Sequence, residues 1–394
     1  MRSMTPGRCV LTAAAVWHAS AAAAACDSSG TSPGTGGTSQ AGAGGSAGSQ
    51  AGMGGAGRGG NAGAAGSGGA GGSSGGSAGS GGSAGQQFTC PEGSANAVLS
   101  LTGATPSQLP GVPPADGYAT SGNIEGAVWI AGALYVSQIR GGVANPPPSR
   151  VLKIVPGGAV TPFISAAGTN GLALDQRGAL LGAVHADGSI SRFDLSNPAA
   201  PAVPIVSRFS GKRFNSPNDL AVRSDGTIYF SDPNWQSGSP ELPERAYRVR
   251  PNESTAEVIG RYQAGEGALE WVAKPNGVTL SRDERTLYIG GTGGLYRFDV
   301  AADGAVGTGA PVPAIAGGVD GMTKDCAGNL YVTNGQKVVV LGPDDARVGD
   351  ISLTGNAVTN VAFGGSENKT LFVTSMGTPP RVHRVELNVP GYPY

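Results

Sequence analysis

The stretch NDLAVRSDGTIYFSDP, residues 218–233, decides the fold class of this chain. A polar pair precedes a short apolar run, a Ser-Asp-Gly turn follows, and a second run is rich in β-branched and aromatic residues. Two such runs around a glycine turn are typical of paired β-strands. Polar residues at a strand entrance are ordinary turn chemistry, so a functional interpretation depends on whether the arrangement recurs.

Six copies of this unit follow one another along the chain. The leading polar residues, 40 to 58 positions apart, are Glu125, Asn170, Asn218, Asn276, Asp320 and Asn360. Further strand candidates follow most copies, for example GLYRFDV at 294–300. This repeat predicts an all-β protein, a six-bladed β-propeller with a central channel, over residues 88–394. The sixth unit has one strand too few, and AVLSL at 97–101 is expected to supply it.

The leading residue of each unit is expected to point toward the propeller axis, because the innermost strand of every blade lines the channel. All six leading residues carry a side-chain oxygen, and two of them, Glu125 and Asp320, are carboxylates. Turn preference explains any single copy, but it explains six oxygen-bearing residues in six copies less well. The pattern therefore indicates a polar site on the axis.

Two carboxylates among several amide oxygens form a hard-oxygen site that suits one divalent cation. Ca²⁺ takes many oxygen ligands in loose geometry and is the best fit, with Mg²⁺, Mn²⁺ and Zn²⁺ as alternatives. Zn²⁺ fits least well, because the chain has three His and one of them, His18, lies in the N-terminal segment.

Substrate contacts are predicted at Asn218, Asn170, Asn360, His185 and Asp232. His185 and Asp232 follow the second strands of the second and third units. Core packing is the alternative for His185, and a turn at the strand end is the alternative for Asp232. Trp235 is either a wall of the same pocket or a packing residue.

Residues 1–26 resemble a bacterial export signal. Arg2 and Arg8 precede an Ala-rich apolar stretch that ends at Cys26. The segment predicts either lipidation of Cys26, as in a lipoprotein, or simple cleavage and secretion. Residues 27–87 are rich in Gly, Ser and Ala, so we expect a disordered tether. The protein is therefore expected in the bacterial cell envelope, in the periplasm or at the surface, or else secreted.

Cys90 and Cys326 are the only cysteines beyond residue 26. In an oxidising compartment they are predicted to form one disulfide, with two isolated thiols as the alternative. The formal net charge is −1, which provides no electrostatic footprint for nucleic acid or for an anionic membrane surface. We expect a monomer whose membrane association is limited to an N-terminal lipid anchor.

From about residue 118 to 387 the chain resembles the SMP-30/gluconolactonase/LRE-like family. The resemblance rests on EGAVW (125–129), NGLALDQRGALL (170–181), NSPNDLAV (215–222) followed by YFSDP, PNGVTLSRDERTLYI (275–289) and DGMTKDCAGNLYV (320–332). It implies a six-bladed propeller with one divalent cation, commonly Ca²⁺, and lactone hydrolysis in many members. The metal ligands that it implies are Glu125, Asn276 and Asp320, with Asn218 contacting metal or substrate.

The resemblance and the polar ring together predict a metal-dependent hydrolase of a lactone or related ester. The cation would polarise the carbonyl, and the general base would be Glu125 or Asp320, since amides cannot take a proton near neutral pH. The resemblance implies Asp320, because it places this carboxylate beside both metal and substrate. In sugar lactonases of the family an arginine shortly before the Asn-Asp pair helps to bind substrate, whereas Ser216 stands two residues before Asn218 here. The alternative is a non-catalytic cell-surface propeller that binds a ligand or protein partner around a structural Ca²⁺.

Overall fold

The structure is a computed structural model and describes residues 89–118, 120–265 and 268–393. The predicted signal segment (1–26), with the predicted lipidation of Cys26, and the predicted tether (27–87) lie outside the described residues. Within the described ranges the chain is all β apart from one 3-10 turn at Ser94–Asn96. Those ranges contain no helix with the length and apolar character that a membrane crossing requires.

The strands form six consecutive antiparallel groups, with one short strand ahead of them and two extra hairpins. The bounds are β1 (Ser107–Gln108); β2 (Gly122–Ile130), β3 (Ala133–Arg140), β4 (Ser149–Ile154) and β5 (Val160–Ile164); β6 (Thr169–Leu174), β7 (Leu180–Val184), β8 (Ser189–Phe193) and β9 (Val203–Val206); the hairpin β10 (Arg208–Phe209) and β11 (Lys212–Arg213); β12 (Leu220–Val222), β13 (Ile228–Asp232), β14 (Arg245–Val249) and β15 (Ala256–Ile259); the hairpin β16 (Arg261–Ala264) and β17 (Ala268–Trp271); β18 (Val278–Leu280), β19 (Thr286–Gly291), β20 (Gly294–Val300) and β21 (Val306–Ala316); β22 (Met322–Lys324), β23 (Leu330–Asn334), β24 (Lys337–Leu341) and β25 (Arg347–Ser352); and β26 (Val358–Gly364), β27 (Thr370–Gly377) and β28 (Val382–Glu386).

The groups are arranged like the blades of a propeller. Strands β6–β9, β12–β15 and β22–β25 are separate four-stranded sheets, and β18–β21 gains the hairpin β16–β17 through a parallel pairing of β16 with β21. The first strand of each group contacts the first strand of the next, from β2 through β6, β12, β18 and β22 to β26, and β26 contacts β2 again. The chain therefore closes around a central axis, which confirms the predicted all-β, propeller-like class.

The last group is completed by β1 rather than by the predicted run at 97–101. Ser107 pairs with Arg384 and Gln108 with His383, which adds β1 to the outer edge of β28. The run at 97–101 forms no strand, and the Asn388 side chain instead holds two of its backbone groups. Asn388 Nδ2 donates to Val98 O at 2.8 Å, and Ser100 N donates to Asn388 Oδ1 at 2.9 Å.

Aromatic packing of a loop residue against the third strand group anchors the stretch that leads to the axis. Phe214 is fully buried and its ring lies 5.0 Å, centroid to centroid, from the rings of both Phe230 and Tyr247. Such edge-to-face contacts add to the hydrophobic stabilisation of a buried ring. Because Phe214 directly precedes the polar residues 215–219, its burial holds the start of that loop against the core.

The predicted disulfide between Cys90 and Cys326 is present, with a Cα–Cα distance of 5.6 Å. Cys326 is fully buried in the turn after β22, and Cys90 belongs to the irregular segment before β1. The bond therefore ties the N-terminal edge of the described chain to the fifth strand group across a separation of 236 residues.

Candidate active site

The six leading residues lie at the entrances of the six innermost strands, as the repeat predicts. Glu125, Asn170 and Asn360 lie within β2, β6 and β26, whereas the other three directly precede β12, β18 and β22. Glu125, Asn170, Asn218 and Asn360 are at most 7% exposed, and Asn276 and Asp320 are partly buried. We call this set the axial ring.

Glycines that follow four ring residues allow neighbouring strands to approach more closely than a side chain permits. A Cβ on Gly126 would lie 2.2 Å from Asn170 O, and a Cβ on Gly277 would lie 2.0 Å from Asp320 O. Gly171 and Gly321 meet the next ring residues, Asn218 and Asn360, in the same way. The Glu-Gly, Asn-Gly and Asp-Gly pairs of the sequence are therefore required for close approach around the axis as well as for turning.

Hydroxyl groups on the innermost and second strands hydrogen bond to backbone carbonyls around the ring, and sequence reasoning missed them. Ser231 Oγ donates to Asn276 O at 2.6 Å, and Thr333 Oγ1 donates to Gly321 O at 3.0 Å. Thr359 Oγ1 donates to Ile124 O at 2.5 Å, which links the last group to the first. A signal was available: the second strands repeat a Ser or Thr after two apolar residues, at Ser137, Ser231, Thr333 and Thr374.

Three carboxyl groups approach one another at the ring: Glu125, Asp219 and Asp320. Burial raises the pKa of Glu125 and of Asp320 well above the usual range of each group. The Asp320 carboxylate raises the pKa of Glu125 further, and the Asp219 carboxylate does the same to Asp320. A hydrogen bond from Asn276 to Asp320 opposes part of this rise. Buried like charges are costly, so the cluster favours a cation among them.

Asn276 provides a second observation that fits a cation. Its Oδ1 is buried and has no hydrogen-bond partner in the part of the chain that the structure describes. An unsatisfied buried acceptor costs about 1–3 kcal/mol, and coordination of a hard cation would satisfy it. Within the described ranges, no three His, Cys, Asp or Glu side chains group as metal ligands. Ligands at this ring would therefore combine carboxylate and amide oxygens.

Asp219 joins two innermost strands and is a functional residue that sequence reasoning did not assign. Its Oδ1 accepts from Leu220 N at 2.9 Å, and its Oδ2 accepts from Val278 N of β18 at 3.1 Å. Burial raises the pKa of Asp219 to about 7. The sequence signal is its position: Asp219 stands where four other units have glycine after the leading residue.

Asp232 lies behind the ring and holds the loop that carries Asn218. The carboxylate is fully buried and accepts from Asn215 N at 2.9 Å and from Ser216 N at 2.6 Å. Burial raises its pKa to about 6. Arg213 supports the same loop by donating to backbone carbonyls, including Ala186 O at 2.7 Å. In this structure Asp232 therefore faces backbone groups and is not exposed toward the axis.

His185 is also fully buried, and its position differs from that of the ring residues. Its Nε2 lies 2.8 Å from Pro147 O, so this nitrogen is the donor and Nδ1 is the unprotonated one. Nδ1 has no partner among the described residues, and burial lowers the pKa of the ring. His185 is thus neutral near pH 7. Trp235, in contrast, is 41% exposed, with the Lys274 ammonium 4.7 Å from its ring centroid.

Comparison with known protein families identifies the chain. The family model described as SMP-30/Gluconolactonase/LRE-like region matches residues 124–377. The chain belongs to the SMP-30/Gluconolactonase/LRE-like family. The matched range contains all six residues of the axial ring, together with Asp219 and Asp232.

Curated relatives within the SMP-30/Gluconolactonase/LRE-like range include several lactonases. A gluconolactonase of Zymomonas mobilis is 26% identical over 295 residues, which cover 66% of this chain and 77% of that protein. The pentonolactonase XacC of Haloferax volcanii is 32% identical over 206 residues, which cover 49% of this chain and 66% of that protein. These matches are to proteins whose names describe action on sugar lactones.

Solved structures of SMP-30/Gluconolactonase/LRE-like proteins are similar in fold. A gluconolactonase from Xanthomonas campestris is 29% identical, with a TM-score of 0.58, and the match covers 73% of this chain and 92% of that one. The calcium-binding protein regucalcin from Agrobacterium tumefaciens is 18% identical, with a TM-score of 0.54, and covers 69% and 92% respectively. The second match shows the common fold.

Ser216 stands two residues before Asn218, at the position that the sequence analysis singled out. The side chain is fully buried, and its Oγ accepts from Gln236 N at 3.3 Å. Ser216 therefore stabilises the loop after β13, which carries Trp235. Gln236 Oε1 and Asn234 Oδ1 on the same loop are buried without a partner in the described ranges.

Proposed function

We propose that this protein is a divalent-metal-dependent hydrolase of a lactone or a related ester. Family membership and the relatives named gluconolactonase and pentonolactonase support a hydrolase of the lactonase type. The single observation that carries the metal dependence is the axial ring itself. It combines two carboxyls with raised pKa values, Glu125 and Asp320, with an Asn276 amide oxygen that has no hydrogen-bond partner in the described ranges.

We also propose that the propeller has six blades. The first and last strand groups share one eight-stranded sheet because β2 pairs with β27, Gly122 opposite Gly377. This pairing involves two residue pairs at the strand ends, whereas each group forms its own antiparallel ladder. If the first and last strand groups are counted as separate blades, each blade has one innermost strand and each innermost strand has one ring residue.

Glu125, Asn276 and Asp320 would hold the cation, with Asn218 beside them. Two carboxylates and an amide oxygen suit Ca²⁺, and Mg²⁺ or Mn²⁺ would use the same oxygens. The cation would supply Lewis-acid polarisation of the substrate carbonyl and would stabilise the negative charge that develops on its oxygen. It would also favour the ionised form of both carboxyls, whose pKa values burial otherwise raises.

Asp320 would act as the general base. The oxygen of a water molecule attacks the carbonyl carbon while its proton passes to the Asp320 carboxylate. The ring C–O bond then breaks, and the same proton is returned to the departing alkoxide, which leaves a hydroxy acid. Only Glu125 and Asp320 among the six ring residues can take a proton near neutral pH. Asp320 is partly exposed whereas Glu125 is 4% exposed, so Asp320 has the better access to water.

The other predicted substrate residues would divide into two roles. Asn218, Asn170 and Asn360 belong to the axial ring and would hydrogen bond to the substrate from the channel wall. Asp232 and His185 are fully buried behind the ring, so we assign them to positioning. Asp232 would act through the Asn215–Ser216 backbone, and His185 through the Pro147 carbonyl.

The Asp320→Asn variant tests the function. This substitution retains the shape and one oxygen ligand but removes the base, so single-turnover hydrolysis at saturating Ca²⁺ should fall by about 10²-fold or more. Glu125→Gln should instead weaken Ca²⁺ binding, measured by calorimetry on chelator-treated protein. Asp344→Asn, in an exposed turn, is the matched control and should retain both properties.

Near wild-type turnover by Asp320→Asn would exclude Asp320 as the base. If the unaltered protein hydrolyses no member of a panel of sugar and aliphatic lactones yet binds Ca²⁺, the non-catalytic binding function replaces the hydrolase. If it hydrolyses a lactone equally well after removal of divalent ions, the metal dependence is wrong.

We propose that the protein is exported and acts as a monomer in the cell envelope. The Cys90–Cys326 disulfide supports an oxidising compartment. Lipidation of Cys26 would retain the protein on a membrane, and cleavage without lipidation would release it. Mass spectrometry of the N-terminal peptide of the exported protein distinguishes the two, because an acylated cysteine has a higher mass than an unmodified one.

A further inference from the structure

Three consecutive innermost strands have an aliphatic residue four positions after the leading residue, and the strand of the fifth group departs from this pattern. Leu174, Val222 and Leu280 occupy this position in the second, third and fourth groups, whereas the fifth group has Lys324. The four residues line one cavity of about 260 Å³ in the channel. We call it the far cavity, since these residues follow the axial ring along their strands. A lysine in an apolar layer carries a desolvation cost that calls for an explanation.

The carboxylates that line the far cavity already have donors. Asp219 accepts from Leu220 N and Val278 N, as described above. Glu284 accepts from Ser224 N at 2.8 Å and from Ser224 Oγ at 2.5 Å, and Arg223 Nε lies 3.8 Å away. Neither carboxylate therefore has the Lys324 ammonium as its partner.

Lys324 forms no ion pair within the described ranges, unlike Lys274, Lys337 and Lys369. Its Nζ lies 5.1 Å from the centroid of the Tyr392 ring, and Tyr392 also lines the far cavity. Burial lowers the pKa of Lys324 to about 8, an effect that the Glu284 carboxylate partly opposes, and the ammonium stays charged at neutral pH. Lys324 is therefore a charged donor that lines the cavity without an ion-pair partner in the part of the chain that the structure describes.

We propose that the far cavity binds a small aliphatic carboxylate, with the carboxylate on Lys324 and the hydrocarbon part against Leu174, Val222 and Leu280. The cavity volume accommodates an acid of a few carbons, at the small end of ligand pockets. A charged hydrogen bond in a partly desolvated site contributes about 1.5–3 kcal/mol, and the apolar walls exclude inorganic anions that need full hydration. The cavity shares Asn360 with the axial ring, but Lys324 and the three aliphatic residues lie outside the ring and do not take part in the proposed hydrolase activity.

The C-terminal segment forms one side of this site. Tyr392 N donates to Lys324 O at 2.9 Å, and Gly391 N donates to Asn368 O at 2.7 Å, so the tail is fixed to two strand groups. Lys324 and Tyr392 also line an adjoining cavity of about 590 Å³ that includes Ser281 and Arg282. Both cavities are lined by Lys324 and Tyr392. A carboxylate can therefore reach the Lys324 ammonium through the adjoining cavity.

Butyrate is the probe, and the readout is saturable binding to the whole protein by ligand-observed NMR or calorimetry. Lys324→Met retains the length of the side chain but removes the charge, and should weaken butyrate binding by about 10-fold or more. Lys324→Arg should retain binding. Lys369→Met, which removes an exposed lysine paired with Glu367, is the control and should bind as the unaltered protein does.

Three results would overturn the proposal. Absence of saturable butyrate binding to the unaltered protein is the first. Equal binding by Lys324→Met, with thermal unfolding that shows a folded variant, is the second. The third is tighter binding of butylammonium than of butyrate, because the carboxylates would then dominate the cavity and Lys324 would serve only to hold Tyr392.

Discussion

Gly277→Ala is the substitution that tests whether close approach at the axial ring is required for function. Gly277 lies between Asn276 and β18, and a Cβ at this position would lie 2.0 Å from Asp320 O and 2.8 Å from Asp320 C. Non-bonded atoms need about 3.5 Å. Asn276 and Asp320 would therefore have to separate by about 1–1.5 Å. A displacement of about 1 Å is enough to impair a binding site that depends on the position of its ligands.

The expected cost has two parts. Overpacking in a well-packed region costs about 1–3 kcal/mol of the free energy of unfolding. A displacement of about 1 Å at the reacting groups costs about 10²-fold in rate, which is the larger effect on function. We therefore expect Gly277→Ala to be folded, moderately destabilised and nearly inactive, with weaker Ca²⁺ binding.

Gly318→Ala is the matched control, because a Cβ there meets no atom within 4 Å. Urea unfolding, Ca²⁺ calorimetry and lactone turnover are measured on both variants and on the unaltered protein. The reasoning is refuted if Gly277→Ala retains turnover within a few-fold of the control. It is also refuted if both glycine variants lose stability equally, since the loss would then reflect glycine replacement in general.

Further predictions concern the disulfide, the loop behind the ring and the chain boundary. Cys90→Ser should lower the free energy of unfolding by about 2–5 kcal/mol, measured by urea unfolding, because it opens a loop of 236 residues; an unchanged midpoint would contradict this. Asp232 has a pKa raised to about 6 from 3.8, so its contribution to stability is present below about pH 4 and is lost as pH rises to about 6, by up to ~3 kcal/mol. Asp232→Asn should therefore flatten the decline in stability between pH 4 and 6 that equilibrium unfolding measures, and an unaltered slope would show that another group titrates. A chain shortened to residues 88–394 should remain folded and active by circular dichroism and turnover, and unfolding on removal of residues 1–87 would contradict the predicted tether.

The strand class and the ring residues could be predicted because both follow from local order along the chain. Each unit carries its own polar residue, apolar run and turn, so aligning the units also aligns Glu125, Asn276 and Asp320. The disulfide could be predicted because only two cysteines remain beyond residue 26. The residues that define each unit are adjacent in sequence, and the two cysteines are paired by elimination because no other cysteine remains in that part of the chain.

Other features could not be predicted because they depend on distances between residues far apart in the chain. The apolar run at 97–101 was expected to complete the last group, but Asn388, almost 300 positions later, takes its backbone groups and leaves the pairing to Ser107–Gln108. The position of Asp232 at a strand end predicts a substrate contact, and that stays a prediction. The hydrogen bonds from the Asn215 and Ser216 backbone to Asp232 are visible only in the structure, because no local pattern reveals them.

The sequence by itself determined which leading residues carry a side-chain oxygen and where each meets its strand, since periodic order alone decides that. Tertiary structure alone decided how strongly those groups interact. Glu125 and Asp320 are 195 positions apart in the chain, yet burial brings them into one electrostatic cluster with Asp219 and raises the pKa of each. Coulombic interaction and desolvation depend on separation in space and on the removal of water, and both arise only when the strands close around the axis.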